Sequence, residues 1–200
     1  MKELKDPKLV KLADHIKHVL TELGIYDNIP VHMDEHIKDT PYRIVKAWKE
    51  FSSSLKVEIT PTSFTNPVNE LVYVTDIYFN SLCCHHFFPF NGKAHVAYLP
   101  KDNLIGLSKI PRIVRHFAKR PQIQEVMTSE IADYLFEILE PEFLMVIVKA
   151  NHTCCSGRGV ESASPMIVSS IRGSEDLSEN DRKSLKKEVL DIISMKDRLL

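Results

Sequence analysis

Ser81-Leu-Cys-Cys-His-His-Phe-Phe-Pro-Phe90 sets four soft-metal donors, Cys83, Cys84, His85 and His86, in a row ahead of apolar bulk that would exclude water. A second donor group follows at Asn151-His152-Thr153-Cys154-Cys155, and these two clusters hold all 4 cysteines of the chain. Thiolate and imidazole suit zinc, and three such ligands leave a fourth position for water. Alternate side chains of an extended strand share a face, so His152 and Cys154 are expected to point the same way. Cys83 and His86 share a face only if the chain turns, and the loss of β alternation at Cys-Cys-His-His places a turn there. The expected site is zinc on Cys83, His86 and Cys154, with His85 and His152 beside it as proton carriers. Such a zinc lowers the pKa of its water toward neutrality, and a neighbouring histidine titrates in the same range. The competing reading is a closed structural zinc that takes a fourth ligand from Cys84, Cys155 or the histidines. Against it, the Cys-x₂₋₄-Cys spacing of zinc fingers is absent.

A second chemical element is Gly106-Leu-Ser-Lys-Ile-Pro-Arg112. Glycine before a helix capped by Ser108, with Lys109 and Arg112 in its first turn, makes an anion pocket from backbone N–H groups, helix dipole and cations. Arg158, in Ser-Gly-Arg-Gly after the second cluster, is a further phosphate candidate. Beside a zinc cluster these point to hydrolysis of a phosphorylated substrate. Glu125, in Gln122-Ile-Gln-Glu125, could accept two donors from a guanine-like edge, or could simply place negative charge at a helix start.

A chain of 200 residues with 44% hydrophobic content can bury one good core, or one core plus helical appendages. A formal charge of −1 gives no global reason to expect nucleic acid or an anionic membrane as partner. The N-terminus has no apolar signal region, and no uncharged run approaches the roughly 18 residues a bilayer span needs. A cytoplasmic protein with reduced cysteines is expected.

Asp6-Pro7 starts a helix that Leu9, Leu12, Ile16, Val19 and Leu23 continue and Gly24 ends. Thr40-Pro41 starts another, with Ile44, Trp48 and Phe51 on one face and Arg43 and Lys46 on a basic one. Residues 55–70 read as loop. Residues 71–79 read as a strand entering the first cluster, paired to residues 93–99 through an Asn91-Gly92 turn. A helix pair follows, from Ser108 and from Gln124 to Leu139, then strands at 144–148 and 166–171. Ser178-x-x-Asp181 begins an amphipathic helix carrying Leu185, Val189, Ile192 and Ile193, suited to packing or assembly. Hairpin strands around a helical insertion predict an α+β fold with an antiparallel sheet. The expected division is an N-terminal helical region 1–54, a catalytic domain 55–173 and a C-terminal helical extension 174–200.

These blocks, in this order, closely resemble the GTP cyclohydrolase I family: Thr40-Pro-Tyr-Arg-Ile-Val-Lys46, Cys83-Cys-His-His86 with Pro89-Phe-Asn-Gly-Lys93, Ile105 to Val114, Arg120-Pro-Gln-Ile-Gln-Glu125, and His152-Thr-Cys154 with Arg158-Gly-Val160. The resemblance covers residues 38–173. It implies a tunnelling fold assembled as a homodecamer, with active sites at subunit boundaries. It implies hydrolysis of GTP to 7,8-dihydroneopterin triphosphate and formate, a first step of folate, pterin or deazaguanine biosynthesis. By position, zinc falls to Cys83, His86 and Cys154, and proton handling to His152 and His85. Ser108 would lie near the ribose, and Glu125 with Gln124 would hold guanine. Lys109, Arg112, Arg158, Arg43 and Lys46 would hold the triphosphate, some of them from a neighbouring subunit. Two alternatives are a related pterin or deazapurine enzyme of the same fold and a non-catalytic, zinc-stabilised regulatory subunit. Cys84 stands where the family usually has glutamate, residues 164–171 lack its threonine-rich run, and the tail beyond Gly173 has no counterpart in these blocks.

Overall fold

The computed structural model describes residues 6–27, 29–53, 63–65 and 70–199. The chain separates into two compact units, Met1–Ser53 and Ser54–Leu200.

In the first unit, α1 (Pro7–Glu22) starts as its sequence predicts: Pro7 enters the first turn and the Asp6 carboxylate accepts the Lys8 N–H at 2.9 Å. A 3₁₀ turn (Val31–Met33) and the short α2 (Asp34–Ile37) lead to α3 (Thr40–Phe51). Leu9 and Ala13 of α1 pack with Val45 of α3, flanked by Ile16 and Tyr42. Arg43 is exposed on α3 and donates to the His36 carbonyl and to Thr40 Oγ1; Lys46 is exposed as well.

The second unit is built on a sheet of order β5-β2-β3-β6-β7, formed by β2 (Val72–Cys83), β3 (Pro89–Leu99), β5 (Pro121–Gln122), β6 (Phe143–His152) and β7 (Met166–Gly173). The four long strands pair antiparallel. The two-residue β5 runs parallel to the end of β2 and pairs Cys83 with Gln122. The fold is α+β, with α4 (Lys109–Ala118) and α5 (Gln124–Leu139) inserted between strands. Strand alternation sends Ala94, Val96, Tyr98, Leu144, Val146 and Val148 to one face, where Ile110, Ile113, Ile131 and Leu135 of the helix pair cover them. Ala97, Met145 and Ile147 point to the other face and pack under α7 (Glu179–Leu199) through Val189, Leu185 and Ile193. Ile192, expected in the same stripe, is 38% exposed. Ser178 caps α7 as predicted, accepting the Asp181 N–H at 3.1 Å. Among the described residues no helix is long and apolar enough to cross a membrane.

Three local expectations change. Residues 55–70 fall mostly outside the described residues, but Ser63–Thr65 form a strand, β1, against β4 (Asn103–Ile105). The sheet is not wholly antiparallel, because β5 adds its short parallel rung. Asn91-Gly92 does not turn the hairpin. The chain reverses at residues 84–86, closed by Cys83 N–H to Phe88 O and Phe87 N–H to Cys83 O, both 2.8 Å.

Gly92 instead lies inside β3, opposite Phe79 and Ala150. A Cβ there would sit 2.0 Å from the Lys149 carbonyl oxygen and 2.7 Å from Ala150 Cα, so the glycine serves close backbone approach. Gly92→Ala is expected to destabilise the protein by about 3 kcal/mol, the upper end of what overpacking costs. A urea unfolding midpoint equal to that of the unchanged protein would refute this.

Candidate metal centre and adjoining cavity

Three chain segments deliver the donors. Cys83 ends β2, where the turn at residues 84–86 presents His85 and His86; His152 ends β6; Cys154 lies in α6 (Thr153–Ser156). His152 and Cys154 therefore do not share a strand face. The strand stops at His152 and one helical turn carries Cys154 inward, so the side chains converge through a change of backbone conformation. The junction is tied down by Thr153 Oγ1 donating to the Pro89 carbonyl at 2.6 Å and Ser156 Oγ to the His152 carbonyl at 3.3 Å. On the β2 side, the Cys84 N–H donates to the Gln122 carbonyl at 3.1 Å.

One donor atom each from Cys83, His152 and Cys154 lies within 4.8 Å of the other two. His85 Nδ1 is 3.7 Å from Cys83 Sγ. His86 is exposed and stands outside that close group, yet it lines the same cavity. The cavity has a volume of about 280 Å³, and its walls include both clusters together with Gln124 and Glu125 at the start of α5. Burial first, and then the neighbouring Cys83 and Cys155 thiols, push the Cys154 thiol up to about 11. Burial also holds the His152 imidazole below its ordinary range, against the opposing pull of the Glu125 carboxylate.

The Cys154 thiol, buried and beside Cys83, resists ionisation. A divalent cation supplies positive charge and deprotonates the thiols it binds. Thiols with nearby imidazole are zinc's preferred donor chemistry, so the residues present fit the metal expected from the sequence.

The sequence did not foresee how His152 is held. Its ring stacks on Phe90, with centroids 4.5 Å apart and planes 7° from parallel, because β3 and β6 place the two residues directly opposite. Its Nε2 lies 2.8 Å from Gln124 Oε1. Gln124 is 1% exposed and donates to the carbonyls of Val148 and Met166 at 3.0 and 3.1 Å. Its amide is thus committed within the protein. Only the strand register, which a single sequence does not display, would have revealed the stack.

The proposed phosphate residues stand apart. Ser108, Lys109 and Arg112 gather at the start of α4, and Arg158 is exposed after α6; none of them lines the cavity. Ser108 occupies the capping position without a side-chain cap bond. The Lys109 N–H instead donates to the Gly106 carbonyl at 2.8 Å, leaving the Ser108 hydroxyl uncommitted to the helix. Arg120 pairs with Glu130, which also accepts from Gln122 Nε2 at 3.0 Å, so it braces β5 against α5.

A family model described as GTP cyclohydrolase I matches residues 12–194, extending the likeness well past Gly173 into α7. A GTP cyclohydrolase 1 of Sulfurihydrogenibium sp. is 46% identical over 136 residues, covering 68% of this chain and 73% of the relative. Another, from Lysinibacillus sphaericus, is 39% identical over 192 residues, covering 94% and 97%. Among solved structures, an archaeosine synthase QueF-Like in the apo form aligns with a TM-score of 0.45 at 15% identity, covering 54% of this chain and 97% of that one.

Proposed function

The chain belongs to the GTP cyclohydrolase I family, and on that premise we propose that it hydrolyses C8 out of GTP as formate, leaving 7,8-dihydroneopterin triphosphate. The observation that carries the reading is the cavity lined together by three thiols, three histidines and the Gln124-Glu125 pair. Zinc would be held by Cys83, Cys154 and His86, with His86 drawn in from its exposed turn. When bound, it supplies the Lewis acidity that makes water a competent nucleophile near neutral pH.

His152 gives and takes a proton at the purine N7 as the imidazole ring opens, and His85, beside Cys83, serves the formamide cleavage. The Glu125 carboxylate accepts from guanine N1–H and the exocyclic amine together, a pair of donors that adenine lacks. Ser108 meets the ribose. Lys109, Arg112, Arg158, Arg43 and Lys46 neutralise the triphosphate. A cavity of about 280 Å³ sits at the small end of ligand pockets. It suits a base and not a triphosphate as well, which favours phosphates held at a boundary between copies of the chain, as in a homodecamer.

The zinc-loaded protein should release formate from GTP in step with dihydroneopterin triphosphate and release none from ATP. A chelator should abolish the activity and added zinc restore it. Absence of formate from the fully zinc-loaded protein would overturn the reading.

A further inference from the structure

We propose that Gln124 is a positioning residue that fixes His152 in its Nε2-protonated tautomer and leaves Nδ1 as the one ring nitrogen that exchanges protons with substrate. The inference rests on the reading of His152 as the proton carrier.

It follows from counting donors. An amide nitrogen has two hydrogens, and Gln124 Nε2 spends them on two carbonyls, Val148 O at 3.0 Å and Met166 O at 3.1 Å. Turning the amide over would set its oxygen against both carbonyl oxygens, so the hydrogen-bond network settles the orientation. Oε1 must then be the atom facing His152 Nε2 at 2.8 Å. An amide oxygen only accepts, hence Nε2 carries the hydrogen and donates it. Gln124 is 1% exposed, so water does not compete for either end.

Phe90, itself fully buried, holds the plane of the imidazole from below. Flipping the ring within that plane would put a carbon against Oε1 and leave a buried acceptor without its partner. Nε2 is therefore committed to the protein, and Nδ1 is the remaining basic atom. Gln124 also joins β6 to β7 at the start of α5, so the same amide that orients the ring anchors the strand carrying it to its neighbour.

Solid-state NMR of the zinc-loaded holoprotein, with ¹⁵N in the histidine rings, reads the tautomer directly. Subtracting the spectrum of His152→Ala isolates the residue. The expected result is a protonated Nε2 and an unprotonated Nδ1, and an Nδ1–H tautomer would overturn the proposal. This measurement needs no turnover, so it can fail while formate release succeeds, or the reverse.

Gln124→Met supplies a kinetic readout, with zinc content and circular dichroism confirming an intact fold. kcat should fall about a hundredfold, as for loss of an acid–base group, while KM for GTP stays within about twofold and the His152 tautomer signal becomes mixed. A raised KM with unchanged kcat would make Gln124 a guanine contact and overturn the positioning role. If that variant does not fold, the tautomer of the unaltered protein decides the matter by itself.

Discussion

His152→Ala is expected to keep near-stoichiometric zinc and to bind GTP, while formate release falls at least about a hundredfold, the low end of what general acid–base groups contribute. The ring is held by the Phe90 stack and by Gln124. One nitrogen is therefore spent, and a group that moves protons needs the other one open. His86 sits exposed in the turn three residues from Cys83, its ring meeting His85 and Phe88 only at 6.4 and 6.5 Å between centroids. His86→Ala should accordingly release zinc where His152→Ala does not. Metal analysis of the two purified variants tests this. Loss of zinc from His152→Ala with retention in His86→Ala would make His152 the ligand, as its close approach to the two thiols permits. Proton handling would then move to His85.

Cys154→Ser should lose both metal and turnover. Serine does not ionise near neutral pH and is a poor zinc donor, and the change removes one of two buried thiols that meet at the end of β2. Partners that only orient a ligand are worth about 10–100-fold in metal affinity, so losing a ligand should weaken zinc by at least about a hundredfold. Formate release should fall to background at micromolar zinc, with circular dichroism unchanged. Cys155→Ser is the matched control, because Cys155 is exposed one residue along and stands outside the close donor group. It should keep its zinc. A Cys154→Ser protein with normal zinc and normal turnover would remove this residue from the centre.

Much of this was open to a reader of the sequence alone. Donor types are composition, and their confinement to two short stretches needs no fold. Helix starts are local chemistry, so Asp6-Pro7 and Ser178-x-x-Asp181 are found where the sequence places them. The apolar periods of α1, α4 and α5 follow from the helical repeat. The strands around the donor clusters follow from β-branched and aromatic residues at 71–79, alternation at 93–99 and a continuous apolar run at 144–148.

What waited for the tertiary structure were relations between distant segments. Asn91-Gly92 has the composition of a turn, but the crowding that requires Gly92 comes from Lys149 and Ala150 on another strand. His152 and Cys154 look like two positions of one strand, until the chain bends into α6 to bring the second thiol inward. Gln124, which the resemblance assigns to guanine, starts a helix, and its amide acquires partners within the chain only when β6 and β7 pass beneath it. Local backbone preference acts over a few residues, so it is written in the residues themselves. Strand register, close backbone approach and the side of the cavity a ring nitrogen faces are set by packing between segments far apart in the chain, and only the folded protein decides them.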